Sequence, residues 1–194
     1  PTFMGAHAFP LEYENKHDAY VDLICSEMIP AVVNEKLAEY CDVFCERGYF
    51  SVEDCRQILQ TSQKHGMKVR LHADEFVDSG AAELAAELGA ISADHLMAVS
   101  DVGIKAMAEK GVIATLLPGT TLFLGKSNYA QGRKIIDMGC DVALASDFNP
   151  GSCTIQSMPF LISLVCLYCG LSIEEAFKAA TWNGARALNR EKEL

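Results

Sequence analysis

Six times along this chain a short β-branched or aliphatic run gives way to a helical stretch, with no hairpin signal between runs. The runs are TFMGAH (2–7), DVFCE (42–46), VRLHA (69–73), AISADHL (90–96), VIATLLP (112–118) and DVALAS (141–146). Short apolar runs of this kind are the pattern of strands buried on both faces of a parallel sheet. Repeated βα units impose parallel pairing and right-handed crossovers, which leaves a barrel or a doubly wound sheet. Helices are predicted over about 18–40, 51–65, 81–88, 101–110, 156–169 and 172–188. A further helix ends near Gly139 after a Gly/Thr-rich loop. SVED, opening at Ser51, has capping-box form, and Gly66, Gly89 and Gly111 stand where helices close.

The polar residues choose between the two architectures. No G-x-G-x-x-G follows any run, so a dinucleotide site is unsupported. Instead His7, His72, His95 and Asp147 each end a run, in four different units. Residues from many strands converging on one rim is what a TIM-like barrel does at the C-terminal ends of its strands. Such a barrel closes with eight units and six can be counted, so the chain is expected to form part of one. Its 194 residues read as a single domain, 1–194.

Composition narrows the partners. The net charge of −10 argues against nucleic acid or an anionic membrane surface. The longest largely apolar run, Met158 to Leu171, contains Pro159 and Ser163 and falls short of the roughly 20 residues of a membrane span. It reads as a core-facing helix, and no leader peptide is recognised at Pro1. Of eight cysteines, Cys41 and Cys45 sit in a strand-like run. Cys166 and Cys169 form a C-x-x-C in the middle of an apolar helix rather than at a helix start, and no second pair completes a zinc site. Small buried thiols in a reducing, cytoplasmic setting are expected.

His17 and His65 lie in polar helical stretches and are expected at the surface. His7, His72 and His95 could each be a hydrogen-bonded structural histidine. Three of them in register with a strand-ending aspartate point to a metal-centred site, since imidazole and carboxylate together suit zinc or iron. Asp147 can be read as an Asx-turn residue ahead of Pro150-Gly151, or as a carboxylate that binds metal or moves a proton. Glu75 is either a helix N-terminal carboxylate or a group reaching into the pocket.

GAHAFPLEY, DVFCE, LHADE, SADHL, LLPG and ASDFNPG carry a more specific likeness across all 194 residues. With these motifs the chain resembles the imidazolonepropionases of the amidohydrolase superfamily. The resemblance implies a (β/α)8 barrel with one zinc or iron that opens the ring of 4-imidazolone-5-propanoate to N-formimidoyl-L-glutamate in histidine degradation. It implies His72 and Asp147 as metal ligands, with Asp147 also shuttling the proton of the attacking water. His95 would polarise the ring carbonyl; Glu75 would be catalytic as well and, with His7, would contact substrate. Asn149, Gly151 and Ser152 would form the loop around the glutamate-like product, Ser152 standing where many members have threonine.

The family's first-strand H-x-H is absent from this chain, as are its second strand and the small β-sandwich. On this count the chain corresponds to strands three to eight, and its site is expected to be incomplete alone. A cytosine- or guanine-deaminase-like hydrolase shares the metal chemistry and differs by releasing ammonia. A catalytically silent barrel fragment would show neither metal nor turnover. An unclosed parallel sheet leaves two edges, so the chain is expected to belong to a longer protein or to associate, for instance as a homodimer.

Overall fold

The computed structural model describes residues 1–193. Six parallel strands pair in chain order: β1 (Thr2–Ala6), β2 (Tyr40–Cys45), β3 (Lys68–Ala73), β4 (Ser92–His95), β5 (Ile113–Leu116) and β6 (Val142–Leu144). Phe44 pairs with His72, His72 with Asp94, and Asp94 with Thr115, so polar residues of neighbouring strands fall at matching heights. The period of two then sorts the side chains. Cys41, Val43, Cys45, Val69, Leu71 and Ala73 face the helices and are buried. Asp42, Arg70, His72, Asp94 and Thr115 line the inner face, around a space of about 940 Å³ between edge strands β1 and β6.

The outer layer forms where the amphipathic pattern requires it. The helix α3 (Val52–Lys64) starts on the expected capping box, in which Ser51 and Asp54 exchange hydrogen bonds. It buries Ile58 and Leu59 against the sheet, each worth about 1.5–3 kcal/mol of transfer free energy. Next come α4 (Ala81–Leu88) and α5 (Asp101–Lys110), each closed by a left-handed glycine, Gly89 and Gly111. The apolar stretch predicted as a core helix is α8 (Met158–Cys169), and no helix among the described residues is long and apolar enough to cross a membrane. All eight cysteines are free. Burial pushes the thiols of Cys41 and Cys169 up to about 12, which leaves them inert.

Three predicted elements differ from the structure. The single helix over 18–40 is instead α1 (His17–Leu23), a π-helical turn (Ile24–Met28) and α2 (Ile29–Asn34). Pro30, in the first turn of α2, has no N–H for the helical ladder, and the turn before it widens. The Gly/Thr-rich segment contains a short helix, α6 (Pro118–Phe123), ahead of α7 (Gly132–Asp137). A Cβ at Gly119 would sit 2.8 Å from Leu161, so glycine permits α6 to pack directly on α8. The helix over 172–188 breaks at Thr181 into α9 (Ile173–Ala180) and α10 (Trp182–Ala187). The break lets α10 dock against the N-terminal end of the sheet. There Asn183 Nδ2 donates to Val142 O at 2.8 Å, Tyr40 Oη to Leu188 O at 2.6 Å and an Arg70 guanidinium nitrogen to Ala187 O at 2.7 Å.

Candidate active site

At the opposite, C-terminal end the backbone itself is unusual. Six non-glycine residues among those described have positive φ, and four of them cluster here: Asp74 (48°), His95 (77°), Leu96 (60°) and Asp147 (50°). Each such residue costs on the order of 1–3 kcal/mol and persists only where its surroundings hold it. At His95 the consequence is visible. Strand alternation directs Asp94 inward, and the left-handed turn brings the next residue's ring to 5.1 Å from that of His72.

A cavity of about 350 Å³ opens on this rim and is lined by His7, His72, Glu75, His95, Asp147, Asn149 and Ser152. Of the residues predicted for the site, only Gly151 lies outside the lining. His17 and His65 are exposed, as expected.

His72 is held from below. Its Nδ1 lies 2.8 Å from Asp42 Oδ1, and His7 Nε2 reaches the same oxygen at 3.4 Å. Burial alone would depress the His72 imidazole, but the Asp42 charge and hydrogen bond hold its pKa up at about 9. Burial would raise Asp42, yet the facing histidines keep its carboxyl below the usual range. The second pair is different in kind. Glu75 Oε2 and His95 Nε2 stand 3.7 Å apart, too far for a hydrogen bond. Burial pushes Glu75 up to about 7 and His95 down to about 3, so near neutrality a largely uncharged imidazole faces a carboxyl poised between its two forms. His95 Nδ1 and Asp94 Oδ1 are buried without a partner.

The two ambiguous carboxylates are separated by their neighbours. Asp74, not Glu75, serves the start of α4: its carboxylate accepts from the backbone N–H groups of Ser79, Ala81 and Ala82. Glu75 turns into the cavity. In the β6 loop the Asx turn belongs to Asn149, whose Oδ1 accepts from the N–H groups of Gly151 (2.9 Å) and Ser152 (2.7 Å). Asn149 Nδ2 donates to Asp147 O and Ser152 Oγ, so this side chain is committed to shaping the loop. Asp147 Oδ2 accepts from Thr120 Oγ1 at 2.5 Å and from Ser152 Oγ at 3.4 Å, and its Oδ1 has no hydrogen-bond partner among the described residues.

The tightest set of ligand-type atoms on this rim is His7, Asp42 and His72, within 4.8 Å of one another, and Asp147 is not part of that trio. Asp147 lines the same cavity, however, and the uncommitted Nε2 of His72 and Oδ1 of Asp147 are a donor pair that fits zinc or iron. Two donors make half of a four-coordinate site, and the sequence holds no H-x-H to complete it. Sequence reasoning missed Asp42 and Thr120, together with an aromatic wall in which Phe44 packs on Tyr49 (4.3 Å) and Phe76 (6.2 Å). The signal for Asp42 was available: it is a lone carboxylate in the middle of the otherwise apolar run YCDVFC.

Parallel βα units with histidines and a carboxylate on the C-terminal rim define a metal-dependent hydrolase type of barrel. A profile of the amidohydrolase family matches residues 6–194, and the chain belongs to that family. Among curated proteins it is similar to the imidazolonepropionase of Bacteroides thetaiotaomicron, 57% identical over 189 residues, covering 97% of this chain and 45% of that protein. The imidazolonepropionase of Clostridium tetani is 55% identical over 193 residues, covering 100% and 46%. The chain thus spans about half the length of the curated relatives it matches. Among solved structures, an adenosine deaminase from Xanthomonas campestris with bound zinc superposes with a TM-score of 0.73 at 18% identity, covering 96% of this chain and 47% of that one. A guanine deaminase from C. acetobutylicum with bound guanine gives 0.73 at 15%, covering 96% and 51%. At such identity these structures speak for the fold alone.

Proposed function

We propose that this chain carries strands three to eight of an imidazolonepropionase barrel and the later half of its metal site. In the intact protein it would hydrolyse 4-imidazolone-5-propanoate to N-formimidoyl-L-glutamate in the cytoplasm. The observation that carries the reading is the gathering of His7, His72, Glu75, His95 and Asp147 around one rim cavity, in a chain more than half identical to proteins of that name.

His72 and Asp147 would hold one zinc or iron ion, the other ligands coming from an H-x-H outside this chain. When bound, the ion supplies Lewis acidity that brings a water pKa toward neutrality. Asp147, steadied at Oδ2 by Thr120, then takes the water proton. Oxygen bonds to the ring carbonyl carbon while neutral His95 donates to the developing oxyanion. Asp147 returns the proton to the ring nitrogen as the carbon–nitrogen bond breaks, so one water is consumed and no ammonia leaves. His7 and Glu75 would orient the substrate, against the wall of Phe44, Tyr49 and Phe76. The Asn149 turn would shape the loop, with Gly151 and Ser152, that receives the glutamate-like arm.

Incubating the intact protein with 4-imidazolone-5-propanoate should consume the imidazolone absorbance and yield N-formimidoyl-L-glutamate. Stoichiometric ammonia would favour a deaminase instead, and no turnover by the metal-loaded protein would overturn the reading.

A further inference from the structure

Asp42 has no part in the reaction just described, yet it is a carboxylate buried directly beneath it. It is 2% exposed and sits at mid-strand in β2, where it pairs with Arg70 while Phe44 pairs with His72. It therefore stands one inner layer below His72, away from the cavity mouth. A carboxylate buried there would cost several kcal/mol without compensating donors. The donors it finds are two rim imidazoles, both on Oδ1: His72 Nδ1 at 2.8 Å and His7 Nε2 at 3.4 Å. The His7 ring meets that of His72 edge-on at 4.3 Å, which limits rotation of either.

We propose that Asp42 is a positioning residue: its Oδ1 fixes a proton on His72 Nδ1 and so presents His72 Nε2, the nitrogen that gives up its proton to a metal, to the cavity that holds Asp147. The inference rests on the metal-site reading above and adds a residue to it. An imidazole has two chemically similar nitrogens, and the hydrogen bond at one decides which is free for a ligand. With only Nδ1 in contact with Asp42, Nε2 is the nitrogen left for a metal, whose binding releases the proton it carries. Because His7 offers Nε2 to the same oxygen, its own Nδ1 is left as the polar atom available to a bound molecule.

Asp42 is a poor ligand itself in this arrangement. A cation between it and His72 would need contacts near 2.0–2.2 Å on both sides and would displace the hydrogen bond observed. The carboxylate–imidazole contact instead has the form of the outer-shell partners that orient metal-binding histidines, whose removal lowers metal affinity about 10–100-fold.

The test is carried out on the intact protein loaded with zinc, with its histidines labelled with ¹⁵N. His72 should show its N–H on Nδ1 and zinc on Nε2. In Asp42→Asn the amide can either accept from or donate to Nδ1, so the tautomer is no longer fixed. Zinc affinity measured by chelator competition should then fall about 10–100-fold. Zinc on Nδ1 with the proton on Nε2 overturns the proposal, as does a folded Asp42→Asn protein of unchanged zinc affinity. Should that variant fail to fold, the wild-type spectrum still decides. Failure of the wild-type protein to bind zinc would overturn the metal-site reading as well, whereas bound zinc with the wrong tautomer overturns this proposal alone.

Discussion

The two ends of this sheet put their polar side chains to opposite uses. At the N-terminal end, side chains tie down backbone: Tyr40, Arg70 and Asn183 each donate to a main-chain carbonyl, and α10 is fixed across the strands. At the C-terminal end, Asp74 and Asn149 also bind backbone, but the titratable groups of the cavity face one another. Asp42 holds His72, Thr120 holds Asp147, and Glu75 stands off from His95. Four left-handed non-glycine residues accompany that second arrangement. Strain and facing titratable groups concentrated at one end, with backbone anchoring at the other, separate a reactive rim from a closed floor, which is how parallel barrels divide function from stability.

This contrast can be broken most sharply at Asp147. Replacing it with alanine should lower turnover of the intact protein by at least about 10³-fold while its melting temperature stays within a few degrees. Near-normal turnover would remove the rim from the chemistry. A smaller effect is expected at Glu75, and it depends on pH. Its pKa rises from 4.5 to about 7 on folding, so the fold favours the protonated acid. The stability this contributes is complete below pH 4.5 and is lost as pH rises through 7. Glu75→Gln stays neutral at every pH. In the metal-free protein it should therefore raise the melting temperature relative to wild type by a few degrees above pH 7, with no gain near pH 4.5. A gain that is the same at both pH values would mean that titration is not its source.

The floor should respond in the opposite sense. Tyr40→Phe deletes the hydrogen bond to Leu188 O and should cost about 1 kcal/mol of stability, read from denaturant unfolding, with turnover unchanged. A tenfold loss of turnover would show that the two ends are coupled after all. The least effect belongs to the helix layer, where Ser51→Ala removes one cap of α3. It should cost about 1 kcal/mol or somewhat less and leave both ends intact.

The alternation of strands and helices was legible because buried parallel strands and capped helices both write their periods into the sequence. His7, His72, His95 and Asp147 could be placed on one rim for the same reason, each ending an apolar run. Whether Glu75 or Asp74 capped α4 was not legible. Two adjacent carboxylates differ only in the backbone angle that turns one to the helix and the other to the cavity. Asp42 shows in the sequence only as a lone carboxylate in an apolar run; its role was not legible because its partners are 30 and 35 residues away. The break at Thr181 falls where good helix formers give way to the weakly helical TWNG, and docking of Asn183 on Val142 fixes it there.

The central proposal is that, in the intact protein, the C-terminal rim hydrolyses an imidazolone ring with the aid of a bound metal. The most direct test strips metal from the intact protein with a chelator, restores zinc or ferrous iron, and follows loss of imidazolone absorbance together with ammonia. Turnover that disappears on stripping, returns with metal and releases no ammonia is the expected result. Turnover that survives complete removal of metal, or that releases one ammonia per ring consumed, would contradict it.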